Sequence, residues 1–556
     1  MSNVVWMKGS KMAIASMAFV VPALVTFGFA EPSPIRFEAT RLPFRFDNGS
    51  RKRHDLPEIM GGGVGLIDFD GDGKLDVYLC QGGPIVADPG HPDPPCRLFR
   101  NDGKGAFTDV TETANAPGPS YAMGVSVGDF DGDGKPDLFV TGWRGQRLYR
   151  NLGNGTFHDV TEKAGLNSDR WGTSSAFADI DGDGRLDLYV ACYVSYAAES
   201  APYVFAPDGK PDYPGPEDFT AQPDHLYRNN GDGTFTDVAN ESGILQGDGR
   251  GLGVIADDFN GDGKLDLFVA EDGTSCRLLL NRGGWKFEEV AQASGVAFDG
   301  KGEALAGMGV ACGDIDGDGL ADLIVTNFFG RSTLLFHNEG NIRYSDASQV
   351  SGLSNATRKS LGFGIAAADF DGDGQLDLLQ ANGHVLDRAR LGEPFEQTPI
   401  LLRNGGGRFV DGSKSAGPAF AKAVLGRGLA VGDLDDDGRP DAVLASLDAE
   451  PVVLWNRTEA AVGLILDLVG KQGENPPGTT IKATICGKPC VREIFGGGSY
   501  LSASDRRVHL GLAGALLVDR VEIRWPSGRV ETWNNLRPGK PIKLVEGSGT
   551  TRPIEK

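Results

Sequence analysis

Seven times the chain writes a nine-residue phrase with Asp or Asn at positions 1, 3, 5 and 9 and Gly at position 6, the first being DFDGDGKLD from Asp68. Four carboxylates held within a few Å of one another repel by about 1 kcal/mol or more per pair. A bound cation removes that cost. The acidic positions are Asp68, Asp70, Asp72 and Asp76 in the first copy and Asp129, Asp131, Asp133 and Asp137 in the second. The third has Asp179, Asp181, Asp183 and Asp187, and the fourth has Asp258, Asn260, Asp262 and Asp266. Asp314, Asp316, Asp318 and Asp322 follow, then Asp369, Asp371, Asp373 and Asp377, and last Asp433, Asp435, Asp437 and Asp441. Only Asn260 departs from Asp, and it keeps an oxygen.

Hard oxygen ligands suit Ca²⁺, which takes about 6–8 of them, and loops of this kind add the carbonyl of position 7. Here that carbonyl belongs to Lys74, Lys135, Arg185, Lys264, Leu320, Gln375 or Arg439. An EF-hand would close with Glu at position 12, where this chain has Leu79, Val140, Val190, Val269, Val325, Gln380 and Leu444. The phrases that follow, such as KLDVYL and RLDLYV, read as strands, so each loop joins two strands. A hairpin turn needs one Asp-Gly pair, not four oxygen positions kept seven times. About seven Ca²⁺ sites are therefore expected, structural rather than catalytic.

A second phrase follows most loops: RLFRNDGKGAFTDVT from Arg97, RLYRNLGNGTFHDVT from Arg147, HLYRNNGDGTFTDV from His225 and three looser copies from Arg277, Leu334 and Leu401. Each reads as strand, Asn/Gly turn and strand, which makes four strands per unit. Loop starts are 61, 50, 79, 56, 55 and 64 residues apart, a period of propellers and solenoids. The fold class predicted is all-β, a seven-bladed β-propeller followed by a small β-rich C-terminal domain. The seventh copy ends near Arg457 without its last strand, and IRFEAT from Ile35 is expected to supply it and latch the ring.

These loops and hairpins resemble FG-GAP (VCBS) repeats, the units of integrin α-chain propellers, over residues 35–457. Residues 492–536, with GGGSYLSASD, HLGL and WPSG, resemble the ASPIC/UnbV domain. That pairing resembles the cartilage-acidic-protein-like architecture. The expected organisation is a signal segment at 1–30, the propeller at 31–457, the ASPIC/UnbV-like domain at 458–547 and a tail at 548–556.

The N-terminus carries Lys8 and Lys11, then an apolar run from Met12 to Ala30, which has the form of an export signal. Retained, it would serve as a membrane anchor. Export is expected, to a secreted, periplasmic or cell-surface location. A net charge of −22 argues against nucleic acid or an anionic membrane surface as partner. Of the seven cysteines, Cys486 with Cys490 and Cys80 with Cys96 are expected to form disulfides, and Cys192, Cys276 and Cys312 read as buried thiols.

No catalytic or organic-cofactor motif is found, and His158, His225 and His337 read as surface strand positions. His384 and His509 stay open as functional candidates. The segment 192–225, with Tyr193, Tyr196, Tyr203, Phe205, Tyr213 and Phe219, and a shorter insertion at 382–399 break the repeat. Aromatic loops on a rigid scaffold suit a glycan or protein ligand, and the alternative is that they pack over the rim. The function expected is an exported calcium-binding module for binding or adhesion. The rival is an enzyme or accessory protein acting on polysaccharide or in secondary-metabolite assembly.

Overall fold

The computed structural model describes residues 34–551 apart from 51–52, 87, 89, 207–208, 246–248, 460–461 and 472. The expected signal segment at 1–30 and residues 552–556 of the tail lie outside the described residues.

Each acidic loop follows a strand of mostly small residues, such as GTSSAFA and GFGIAAA, and precedes an apolar one, such as DLFVTG and DLYVAC, and the two pair antiparallel. Blade 1 consists of Val64–Ile67, Asp76–Leu79, Arg97–Gly103 and Ala106–Asp109, paired in that order. Five more sheets repeat these four strands, with innermost strands Ala122–Gly128, Gly172–Ala178, Gly251–Asp257, Val310–Gly313 and Gly362–Ala368. The seventh runs Gly426–Gly432, Asp441–Ser446 and Val452–Asn456, and its outer strand is Phe37–Arg41. Successive innermost strands are neighbours, and the seventh lies beside the first, so the sheets form a ring. At that narrow radius the backbones nearly touch: a Cβ on Gly309 would lie 2.1 Å from the Phe363 carbonyl oxygen.

Phe37–Arg41 pairs antiparallel with Val452–Asn456, in register from Phe37 opposite Asn456 to Arg41 opposite Val452. The Phe37 ring packs edge-on against Phe370 at 5.5 Å. Deleting residues 35–45 would strip the last blade of its outer strand and expose unpaired strand groups. The deletion variant should melt well below the parent and self-associate; calorimetry with light scattering checks this, and an unchanged, monomeric variant would contradict it.

Past the ring, Gly463–Gly470 pairs with Val508–Gly511 and, in parallel, with Ile542–Val545. Thr479–Ile485, Lys488–Ile494, Val518–Arg524 and Val530–Leu536 belong to a second sheet. Leu464, Leu466, Ile481, Val521, Ile523 and Trp525 fill the space between them.

The GGGSYLSASD segment at 496–505 leaves this domain and contacts the innermost strand of every blade. Gly496–Gly497 pairs with Ile255 and Ala256, and Ser499 exchanges backbone hydrogen bonds with Val310. The Leu501 carbonyl accepts from the Val125 N–H, and the Leu501 N–H donates to Ser174 Oγ. Ala503 bonds to Val64 and Leu66, and the Asp505 N–H donates to the Val431 carbonyl. The fully buried Tyr500 ring meets Phe363 of blade 6 at 4.9 Å. A single short segment reaches all seven innermost strands only along the ring axis, so these residues plug the channel. The glycines let it thread there: a Cβ on Gly497, at φ +77°, would lie 2.3 Å from the Val254 carbonyl oxygen.

The 192–225 insertion is largely a packing element. Tyr193 and Tyr196 are buried, with ring centroids 5.3 and 6.0 Å from Trp171, and Phe219 packs on Tyr196 at 5.2 Å. The Tyr213 hydroxyl donates to Glu58. Among the described aromatic residues of the insertion, Tyr203 and Phe205 are 67% and 60% exposed, with the Arg53 guanidinium 5.0 Å from the Tyr203 ring.

Both expected disulfides are corrected, since all seven cysteines are free thiols. Ile485 faces Lys488, which leaves Cys486 and Gly487, both at positive φ, as the two turn residues. Cys490 thus lies opposite Ala483 in the strand, with its thiol toward the Gly374 carbonyl, while Cys486 is exposed at the tip. Cys80 and Cys96 are buried partners whose thiols hydrogen-bond to each other.

Candidate metal centres

Each acidic loop joins the innermost strand of its blade to the second strand, and its fold follows from which backbone N–H groups the aspartates satisfy. The position-1 carboxylate accepts from the N–H of the position-6 glycine in all seven loops, at 2.8–3.1 Å. The position-5 carboxylate accepts from the N–H of position 7, as Asp72 does from Lys74 at 2.9 Å. These bonds curl the loop and bring carboxylates from positions 1, 3 and 9 together. In the triads Asp68, Asp70, Asp76; Asp129, Asp131, Asp137; and Asp179, Asp181, Asp187, one oxygen from each residue lies within 4.8 Å of the others.

The position-9 aspartates are the buried members. Asp76, Asp137, Asp266 and Asp441 are fully enclosed, and Asp187, Asp322 and Asp377 nearly so. Burial pushes Asp76, Asp137, Asp187 and Asp266 up to about 8, far above the usual carboxylate range. Asp369, at position 1 of the sixth loop, is pushed up to about 7 by the same cause. Two buried oxygens, Asp266 Oδ2 and Asp435 Oδ1, have no hydrogen-bond partner among the described residues. All-oxygen donors, buried charge and unpartnered carboxylate oxygens fit Ca²⁺.

A carboxyl raised above its unfolded value stabilises the metal-free fold only while protonated, below its ordinary pKa near 4, and that contribution is lost as pH rises through about 8. Cation entry must also displace the proton. In chelator the melting temperature should fall between about pH 5 and 8, and the gain on adding Ca²⁺ should grow over the same range. Melting curves at several pH values check this, and a calcium gain independent of pH would contradict it.

The sequence reading missed one partner of these loops. Asn101, Asn151, Asn229, Asn281, Asn338, Asn404 and Asn456 each donate a backbone N–H to the position-9 carboxylate, at 2.6–2.8 Å. In six of them the side-chain amide also donates, at 2.7–2.9 Å, to the position-2 carbonyl of the preceding blade's loop. Each such Asn clasps its own loop to the next one around the ring. Its signal was in plain view, as the Asn in the RNDG, RNLG, RNNG and LNRG phrases.

Nearby cations differ between loops. Arg150 pairs with Asp131 and Asp133, Arg403 with Asp371 and Asp373, and Arg457 with Asp435 and Asp437. His337, expected at the surface, brings Nδ1 to 3.1 Å from Asp322 and 3.4 Å from Asp316. His225 is likewise corrected: it is buried, bonded to Ser168 and Asp237. His384 is buried against Phe328 and Phe329 and lowered to about 4, first by burial. His509 lies 3.8 Å from Asp505. His384 joins no acidic loop among the described residues, whereas His509 lies close enough to Asp433, position 1 of the seventh loop, to oppose the upward push of burial on that carboxyl.

The sixth and seventh loops carry the C-terminal domain. The Gly372 carbonyl accepts from the Ala513 N–H, the Gly374 carbonyl from Arg492, and the Gly438 carbonyl from the Gly463 N–H. A Cβ on Gly511 would meet Asp369 Oδ2 at 1.9 Å.

The FG-GAP-like repeat family matches residues 68–140, 129–190, 207–269, 258–325 and 314–379, which take in six of the seven loops. The ASPIC and UnbV family matches residues 471–551. Cartilage acidic protein 1 of Homo sapiens is 26% identical over 318 residues, 56% of this chain and 46% of that protein. That of Xenopus tropicalis is 26% identical over 313 residues, 54% of this chain and 45% of its own. The chain thus spans about half the length of these curated relatives. Integrin alpha-V of Gallus gallus is 29% identical over 157 residues, 27% of this chain and 14% of that protein. Among solved structures, an Agrocybe aegerita lectin that recognises non-reducing terminal N-acetylglucosamine matches with a TM-score of 0.38 and 16% identity, over 75% of this chain and 87% of its own. YCF48 bound to D1 peptide matches with a TM-score of 0.41 and 9% identity, over 76% of this chain and 97% of its own.

Proposed function

Because this chain belongs to the FG-GAP-repeat proteins with a C-terminal ASPIC and UnbV domain, the family of cartilage acidic protein 1, we propose that it is an exported calcium-binding propeller serving as a binding or adhesion module for a protein or glycan. Ca²⁺ would be held by positions 1, 3, 5 and 9 and the position-7 carbonyl of each loop, neutralising carboxylates that otherwise repel one another. The ring then stays rigid enough to present a surface.

The observation that carries the binding role is a rim on the face away from the loops. Loops join first and second strands, whereas both insertions join second and third strands and so emerge at the opposite end of each blade. There the two insertions meet through an Arg388–Asp212 ion pair at 2.8 Å. Around that contact Tyr203, Phe205 and Leu391 are 67%, 60% and 67% exposed. Exposed aromatic faces on a braced support suit a sugar or peptide. The rival enzyme reading would use the central channel, which residues 496–505 fill.

The test is capture by the full chain on arrays of glycans and extracellular proteins, with calcium and with chelator. A calcium-dependent ligand should be lost in the Tyr203→Ala, Phe205→Ala double variant while melting is unchanged. Capture indifferent to the double variant, or polysaccharide turnover by the parent, would overturn the reading.

A further inference from the structure

We propose that Asp257, Cys312 and Glu493 form a separate site for a borderline divalent cation of the Zn²⁺ class, stapling the ring to the C-terminal domain. Asp257 ends the innermost strand of blade 4, Cys312 lies on that of blade 5, and Glu493 comes from the strand Lys488–Ile494. The Cys312 sulfur and one oxygen from each carboxylate all lie within 4.8 Å of one another. Asp257 is 5% exposed and Cys312 3%.

An ordinary carboxylic acid pair, Asp257 and Glu493 sharing a proton, explains part of this arrangement. The Glu493 Oε2 atom is enclosed and meets no N–H or O–H donor among the described residues, so it is either the proton-sharing oxygen of that pair or a ligand to a cation. Beside the triad is a cavity of about 70 Å³ lined by Cys312, Glu493 and Arg492. That volume admits a water, whose share of the liquid is about 30 Å³, as a fourth ligand. Three protein ligands and one water make a four-coordinate shell of the kind Zn²⁺ takes.

The sulfur decides the class of ion. Ca²⁺ takes oxygen ligands, whereas a thiolate with carboxylates selects a softer cation. On binding, the Cys312 S–H gives its proton to solvent as the metal–sulfur bond forms. Three anionic ligands leave the site one negative charge in excess of the dication. The Arg492 guanidinium and the Asp314 carboxylate both line that cavity, and Arg492 also reaches Asp369 at 3.9 Å.

The test uses the full chain with its loops saturated by Ca²⁺, in a Cys486→Ser, Cys490→Ser background that removes the other thiols of the C-terminal domain. Co²⁺ serves as the spectroscopic probe. A thiolate-to-cobalt charge-transfer band should grow to about one equivalent and be displaced by Zn²⁺. It should vanish in Cys312→Ser, weaken at least about tenfold in affinity in Glu493→Gln, and persist in Cys276→Ser, a buried thiol of blade 4. Failure of the parent to show the band decides against the site whether or not the variants fold. A band that survives Cys312→Ser would overturn it equally.

Discussion

A chain ending at Arg457 should not hold a stable ring, even though every propeller strand is present. The channel would lose residues 496–505 and with them hydrogen bonds to Val64, Leu66, Val125, Val310 and Val431. Buried backbone groups left unmet cost about 1–3 kcal/mol each. Tyr500, fully buried against Phe363, would leave a void as well. The milder Tyr500→Ala in the full chain isolates that packing and should cost about 3–5 kcal/mol, as deletion of a buried aromatic does. Denaturant titration of both variants, with limited proteolysis of the truncated chain, checks this. A truncated ring as stable and protease-resistant as the parent would show the plug to be a passenger.

The second large effect is expected from the metal sites. By mass action, an ion at about 100 times its dissociation constant stabilises the fold by about 2.7 kcal/mol. Several such sites together exceed the ~5–15 kcal/mol net stability of ordinary domains, so chelation should unfold or loosen the ring. Position within the loop should grade single substitutions. Asp137→Ala removes a proposed ligand together with the carboxylate that accepts from Asn151 at 2.7 Å and Phe130 at 3.1 Å. It should cost more than about 3 kcal/mol, chiefly by leaving buried N–H groups unsatisfied. Asp72→Ala, at a half-exposed position, should release about one ion and cost about as much as one site contributes. Calorimetry on both variants, with and without chelator, reads the difference, and equal losses would contradict the division of roles between positions 5 and 9.

The loops were legible because their chemistry is local: within nine residues, spacing sets which oxygens converge, and repetition rules out chance. Strand order in the blades was legible for a similar reason, as consecutive strands pair with their neighbours. What stayed hidden depends on distant partners. Nothing in GGGSYLSASD alternates or repeats, and its companions Val64, Leu66 and Val125 lie several hundred residues upstream. The Asn clasps were visible as a recurring letter, but a turn explains an Asn before Gly equally well, and only the fold shows its amide reaching the adjacent blade. Cys486 and Cys490 looked like a bridge from spacing alone. A two-residue turn at Cys486–Gly487 puts them at different heights of one hairpin. By composition the aromatic insertion suited a binding surface and a packing element equally, and most of its rings proved to be the lid of the ring's own core.

The claim on which the rest depends is that the acidic loops hold calcium, and counting the ions tests it most directly. The full chain, dialysed against calcium and freed of excess, should carry about seven Ca²⁺ by metal analysis of protein quantified in the same sample. Fewer than about three ions per chain would contradict the account, whatever the melting curves show.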